Sequence, residues 1–102
     1  MRAIVFHQHG APEVLKYEDA PEPSIRSNEA LVRVKACALN HLDLWVRRGI
    51  PGVPIPLPHI PGSDASGEIV QIGADVTTVR VGQKVVLAPC VTCGKCAACV
   101  SG

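Results

Sequence analysis

The sequence predicts a small, mainly β domain: a partly open β-barrel with one short helix and a cysteine-rich loop. Glycine and proline, nine of each in 102 residues, indicate many turns and little helix. Several short segments alternate apolar and polar residues, which is typical of half-buried strands in an antiparallel sheet or barrel. Only one segment carries both the start and the stop signals of a helix.

The amino-acid composition argues against several classes of function. Hydrophobic residues make up 47 %, enough to bury a core, and the net charge of +1 argues against binding to nucleic acid or an acidic membrane surface. Three aromatic residues offer no stacking platform for single strands. No apolar run approaches the roughly 20 residues of a membrane helix, and the N-terminus is not a secretory signal. We therefore expect a cytoplasmic protein with reduced thiols and neither nucleic-acid nor membrane partners.

Five segments have the pattern of strands. In the clearest, apolar side chains such as Val32 and Val34 form one face, and Arg33 and Lys35 lie on the other. Turn residues bound the other four. The predicted strands are residues 2–7, 14–18, 29–37, 68–72 and 84–87.

The predicted helix covers residues 40–48. Asn40 is a natural N-cap, and Asp43 lies in the first turn, where the helix dipole favours a negative charge. Two arginines occupy the last turn, and Gly49 follows as a stop. Trp45 is on the apolar face, so we expect it in the core.

The segment after the helix, residues 50–61, holds five prolines. Proline lacks the backbone N–H that helices and central strands need. This segment is therefore predicted to be a stiff, extended loop.

Four of the five cysteines fall within ten residues, as Cys90, Cys93, Cys96 and Cys99. Repeated C-x-x-C spacing lets thiolates turn onto one zinc ion, and four thiolates leave no open position for a substrate, so we predict structural zinc. Free thiols, disulfides or an iron–sulfur cluster are the alternatives. Cys37 is distant in sequence and is expected to be a small buried hydrophobe.

Four motifs then resemble the GroES-like N-terminal, substrate-side domain of medium-chain alcohol dehydrogenases. They occur in the order found in that family, and the resemblance extends over the whole chain. It implies a GroES-like domain at residues 1–102 with a zinc lobe at residues 89–102. The motifs are PGSDASGEIV at residues 61–70, IGADV at 72–76, VGQKV at 81–85 and CGKCAAC at 93–99.

Departures from the family pattern carry further implications. Zinc-dependent members hold a catalytic zinc with a cysteine at the strand-to-helix turn and the histidine of a Gly-His-Glu motif. Asn40 and Ser63 stand at those positions, with Asp64 after Ser63, so the resemblance implies no catalytic zinc. The motif of Asn40 and Asp43 is similar to the quinone oxidoreductase branch, where the matching residues line the nicotinamide end of the cleft. The candidate catalytic or cleft residues are Asn40, Asp43, Ser63 and Asp64.

Asn40 is also the candidate cofactor contact. Helix capping is the purely structural alternative for Asn40, and dipole stabilisation is the alternative for Asp43. In the family's zinc lobe a fourth cysteine follows the third by several residues. Here either Cys90 or a ligand from outside the segment would complete the site.

The resemblance implies an NAD(P)-dependent oxidoreductase that transfers hydride to or from a carbonyl, alcohol, enone or quinone. Its parent enzyme would bind a small-molecule substrate and a nicotinamide cofactor and form a homo-oligomer. No G-x-G-x-x-G motif or β-α-β pattern occurs, so we expect the Rossmann cofactor domain to be absent and the isolated chain to be inactive.

Two other function classes stay open at this point. A free-standing, zinc-binding co-chaperonin-like module has a similar size, but it needs a mobile docking loop, and the prolines stiffen the corresponding segment. A redox- or zinc-sensing lobe is the other alternative.

Overall fold

The computed structural model describes residues 1–102 as two antiparallel sheets connected by a helix and long loops. One sheet pairs β1 with β2, and the other has the order β3-β4-β5. The sheets do not close on each other, which confirms a mainly β, partly open architecture. The elements are β1 (Arg2–Val5), a 3₁₀ turn (Pro12–Val14), β2 (Lys16–Asp19), β3 (Ala30–Ala38), α1 (His41–Arg48), β4 (Asp64–Ile72), β5 (Lys84–Val86) and α2 (Ala97–Ser101).

Phe6 forms the centre of the small core. Its side chain is 0 % exposed and lies between the rings of His9 and His59, with centroid distances of 5.7 and 5.4 Å. Phe6 and His59 also exchange two backbone hydrogen bonds of 3.0 Å. The end of β1 is thereby attached to the proline-rich loop.

The second strand begins later than predicted. Pro12, whose fixed φ suits the start of a helical turn, begins the 3₁₀ turn Pro12–Val14, so Val14 is not in a strand. The strand runs from Lys16 to Asp19 and pairs Ile4 with Tyr17.

The main sheet depends on a close approach of β3 and β4. Their register runs from Ala30 opposite Ile72 to Ala38 opposite Asp64, with two irregularities. A Cβ at Gly67 would lie 2.2 Å from the carbonyl oxygen of Arg33, so this position requires glycine. Because residues 64–67 also pair with β3, β4 begins at Asp64 rather than at residue 68 as predicted.

Helix α1 covers the predicted segment, but its contacts differ from the expectation. The buried side chain is Arg47, 7 % exposed, whose Nε donates a 3.2 Å hydrogen bond to the carbonyl oxygen of Gly10. Gly10 N–H donates back to the Arg47 carbonyl oxygen, and His9 Nδ1 lies 3.0 Å from the Val46 carbonyl oxygen. The helix contacts the segment of His9 and Gly10 through the side that carries Arg47. Trp45 is 55 % exposed, so the expectation of a core tryptophan is wrong.

The buried core is sparse, since only 5 of 102 residues are buried. Large apolar side chains lie at the surface, including Leu39 at 96 % exposure and Val86 at 82 %. None of the helices has both the length and the apolar character needed to cross a membrane.

Replacing Phe6 with alanine should lower the free energy of unfolding by about 3–5 kcal/mol, because few other side chains can fill the cavity. Urea denaturation followed by circular dichroism measures this. Tyr17→Ala is the matched control, since Tyr17 is 65 % exposed, and it should cost less than about 1 kcal/mol. Equal losses in the two variants would contradict a core centred on Phe6.

Candidate metal centre and cleft

Three cysteine sulfurs converge near the C-terminus. The sulfurs of Cys93, Cys96 and Cys99 all lie within 4.8 Å of one another. The Sγ of Cys99 is 3.3 Å from that of Cys96 and 3.7 Å from that of Cys93. A tetrahedral zinc with Zn–S bonds of about 2.3 Å has sulfur–sulfur edges of about 3.8 Å. The three donors therefore fit one face of a zinc tetrahedron after small adjustments.

Local backbone structure produces this convergence. Gly94 has φ +70°, a left-handed conformation that lets the chain reverse between the first two cysteines. The N–H of Cys96 donates to Cys93 Sγ and the N–H of Cys99 donates to Cys96 Sγ, each at 3.4 Å. The second of these bonds caps α2, a five-residue helix within a segment predicted to be a loop.

These hydrogen bonds favour the thiolate form that a metal needs. The backbone N–H groups of Lys95 and Cys96 are the main cause of a Cys93 pKa of about 6, and side-chain bonds to Cys96 and Cys99 add to it. The pKa of Cys99 is also lowered, mainly by the Cys96 side chain. In two of the three donors the pKa is thus shifted toward the thiolate form.

The other two cysteines lie apart from this cluster. Cys90, predicted as a metal ligand, is exposed and its sulfur does not belong to the group of three. Cys37 is exposed on β3, so the expectation of a buried hydrophobe is wrong.

The candidate cleft lies where β3 ends and α1 and β4 begin. Asn40 Oδ1 accepts a 3.2 Å hydrogen bond from Leu42 N–H, and Asp43 Oδ2 accepts a 2.8 Å bond from Asn40 N–H. This reciprocal capping satisfies two backbone donors at the helix start and confirms the N-cap interpretation of Asn40. For Asp43 it adds a capping bond that the sequence analysis did not predict.

The same arrangement orients the NH2 end of the Asn40 side chain. Because Oδ1 is engaged by the helix, Nδ2 is the atom left for other partners, and it lies 3.5 Å from Asp64 Oδ2. The pairing of Ala38 with Asp64 across the sheet brings these side chains together. Ser63 is half-buried next to Asp64, and its hydroxyl makes no hydrogen bond within the chain.

A shallow groove of about 330 Å³ adjoins this cluster. Small side chains of β3 and β4 and the apolar end of β5 form it, with Asp64 and Ser66 as its polar members. Sequence reasoning missed the groove because it depends on strand register; the alternation of alanines was the available signal. The lining residues are Ala36, Cys37, Ala38, Asp64, Ala65, Ser66, Val86 and Leu87.

Comparisons with known proteins agree with one another. A family model described as the alcohol dehydrogenase GroES-like domain matches residues 26–102. An alcohol dehydrogenase of Schizosaccharomyces pombe is 36 % identical over 96 % of this chain and 28 % of its own length.

Two solved structures are similar in both sequence and shape. A cobalt- and zinc-bound thermostable alcohol dehydrogenase from Pyrobaculum aerophilum is 39 % identical, with a TM-score of 0.88 over 100 % of this chain and 30 % of its own. A quinone oxidoreductase of Escherichia coli complexed with NADPH is 34 % identical, with a TM-score of 0.77 over 84 % of this chain and 26 % of its own. The chain thus spans 26–30 % of the length of these relatives.

Alkylation of the metal-free chain should report the low Cys93 pKa. At pH 7 iodoacetamide should label Cys93 before Cys37 and Cys90, whose sulfurs accept no such N–H bonds. Because a depressed pKa keeps the thiolate above pH 6 and loses it below, the Cys93 rate should fall steeply as pH drops through about 6. Peptide mass spectrometry at timed quenches gives each rate. Labelling of Cys90 ahead of Cys93 would contradict the assignment.

Proposed function

Because the chain belongs to the alcohol dehydrogenase GroES-like domain family, we propose that it is the N-terminal, substrate-side domain of an NAD(P)-dependent medium-chain oxidoreductase. The match over residues 26–102 carries this proposal. The parent enzyme transfers hydride between a nicotinamide cofactor and a small alcohol, carbonyl, enone or quinone. The cofactor domain lies outside these 102 residues, since they contain no nucleotide-binding motif. Alone, the chain is inactive.

The three-cysteine cluster is the proposed site of a structural zinc ion. Its sulfur spacing, its N–H···S bonds and the low pKa of Cys93 support this assignment. Zinc supplies a cross-link, and residues 89–102 need one because none of their side chains is buried. The fourth ligand comes from outside the group of three.

Asn40 and Asp64 are the proposed contacts at the substrate and nicotinamide end of the cleft. Asn40 Nδ2 donates a 3.5 Å hydrogen bond to Asp64 Oδ2 and carries a second N–H that can donate to a ligand, and Asp64 offers further acceptor capacity beside it. Asp43 acts through Asn40, because its carboxylate fixes the backbone from which the Asn40 amide projects. Ser63 contributes an unengaged hydroxyl at the same edge.

The two groups of relatives differ in how much of the chain they match. The alcohol dehydrogenases cover 96–100 % and the Escherichia coli quinone oxidoreductase covers 84 %. The unmatched sixth is about as long as the cysteine segment. The chain therefore combines a lobe of alcohol dehydrogenase type with the Asn40 and Asp43 motif that resembles quinone oxidoreductases, and with Ser63 in place of the zinc-binding histidine. We propose a cytoplasmic, homo-oligomeric parent.

The proposal is tested by assaying the activity of the protein in the form that its source cell produces. The purified protein should oxidise or form NAD(P)H with quinones, enones, aldehydes or alcohols. Asn40→Ala should lower kcat/KM about five- to tenfold, the worth of a hydrogen bond of about 1 kcal/mol. Thr77→Ala, at an exposed position away from the cleft, is the control. If the cell produces a protein of only 10.8 kDa that lacks this activity, the co-chaperonin-like module would be favoured instead.

Substituting one cysteine of the cluster tests the structural role of zinc. Cys96→Ser should release the metal and increase amide exchange in residues 89–102 while the sheets stay folded, because the Phe6 core is separate. Metal analysis and hydrogen exchange give the two readouts. Cys37→Ser, which removes a cysteine on β3 outside the lobe, is the matched control and should keep the zinc. Global unfolding of Cys96→Ser, or full zinc content in it, would refute this role.

A further inference from the structure

The groove beside Asp64 continues along the sheet into a second, larger groove of about 470 Å³. The two grooves share Ser66 and Val86, which lie opposite each other in the register of β4 and β5. They therefore form one trough, which begins at Asp64 and ends at the pair of Glu68 and Lys84.

The two ends of this trough carry opposite charge. Asp64 is the charged side chain at the first end, whereas Lys35, Lys84 and Glu68 line the far end. The ion pairs of the chain join Arg2 to Asp19 and His7 to Glu18, so neither lysine of the trough has a carboxylate partner. The far end thus presents two unpaired ammonium groups against one carboxylate.

The sheet holds these lysines on either side of the trough. Lys35 is on β3 and Lys84 is on β5, the two strands that flank β4. Neighbouring strands are about 4.8 Å apart, so the two lysine backbones are separated by roughly 10 Å. Both flexible side chains can converge on one anionic group, and Ser66 offers a hydroxyl between them.

The middle of the trough is apolar and fixes how a ligand would lie. Ala36, Ala38 and Leu87 line it and favour an aliphatic chain. Ser66 and Glu68 are two and four residues beyond Asp64, which corresponds to roughly 7 and 13 Å along a strand. Since Asp64 repels a carboxylate, the anionic end of such a ligand belongs at the lysines and its other end at Asp64.

We propose that the parent enzyme acts on a linear aliphatic alcohol or carbonyl compound with a terminal carboxylate. Lys35 and Lys84 bind the carboxylate, and the reacting carbon lies at Asn40 and Asp64. A singly charged carboxylate balances the two lysines against Glu68. This inference rests on the proposed function, which assigns the reacting end of the cleft to Asn40 and Asp64.

Calorimetric binding of n-octanol and ω-hydroxyoctanoate tests the lysine end of the trough. With C–C bonds of about 1.5 Å, an extended eight-carbon chain spans roughly 9 Å and reaches from Asp64 to the lysines. In the presence of NAD(P)H, which cannot oxidise an alcohol, the protein that its source cell produces should bind the hydroxy acid about five- to tenfold more tightly. Two exposed ion pairs provide this preference.

A double variant, Lys35→Ala with Lys84→Ala, should lose the preference and bind n-octanol as before, which also shows that it is folded. Lys16→Ala, at an exposed position of β2 in the other sheet, is the matched control and should keep the preference. Equal affinities in the original protein, or a preference that survives in the double variant, would overturn the inference.

Chain length separates the trough from a general attraction of anions. Glycolate has two carbons and cannot span from Asp64 to the lysines, so it should bind no more tightly than ethanol. An advantage of glycolate over ethanol as large as that of the eight-carbon pair would refute the proposed position of the carboxylate.

Kinetics distinguish failure of this inference from failure of the proposed function. The lysines act far from the reacting carbon, so the double variant should raise KM for ω-oxooctanoate about five- to tenfold without changing kcat. Its kinetics with octanal should stay unchanged. Equal kcat/KM for the two aldehydes in the active original enzyme would refute the substrate class alone. Absence of NAD(P)H turnover with every alcohol, aldehyde, enone and quinone would refute the proposed function.

Discussion

The packing of Phe6 between His9 and His59 is the contact on which the rest of the fold depends. Phe6 directly follows β1, His59 lies in the proline-rich loop, and His9 Nδ1 lies close to the carbonyl oxygen of Val46 in the last turn of α1. One buried ring thus connects three segments that belong to no common sheet. In a chain with so few buried residues, these contacts stabilise the position of α1 and with it the cleft.

The cysteine lobe is stabilised by a different interaction. It buries no side chain, and its order depends on N–H···S bonds and on the cross-link that the proposed zinc ion would supply. Since the Phe6 core and the lobe share no such contacts, we expect loss of that ion to affect the lobe and to leave the sheets intact.

The sequence predicted the features that depend on local periodicity. It did not predict the features whose position depends on the register between strands. The alternation in β3 and the caps of α1 are local, so both were predicted. The start of β4 was missed because Asp64–Gly67 contains no β-branched residue, and its place in the sheet comes from pairing with β3. C-x-x-C spacing identified three sulfurs of the cluster, but whether Cys90 joins them depends on the backbone path, which spacing does not determine.

Asn40 shows how one residue can serve both the fold and the site. A helix cap uses its side-chain oxygen, so capping leaves the Nδ2 group available for partners outside the helix and also fixes its direction. Asp43 completes the cap, and the register of β3 and β4 puts Asp64 at the end of that free group. The structural and the proposed functional interpretations of Asn40 are therefore compatible, because the cap orients the donor that we propose acts in the cleft.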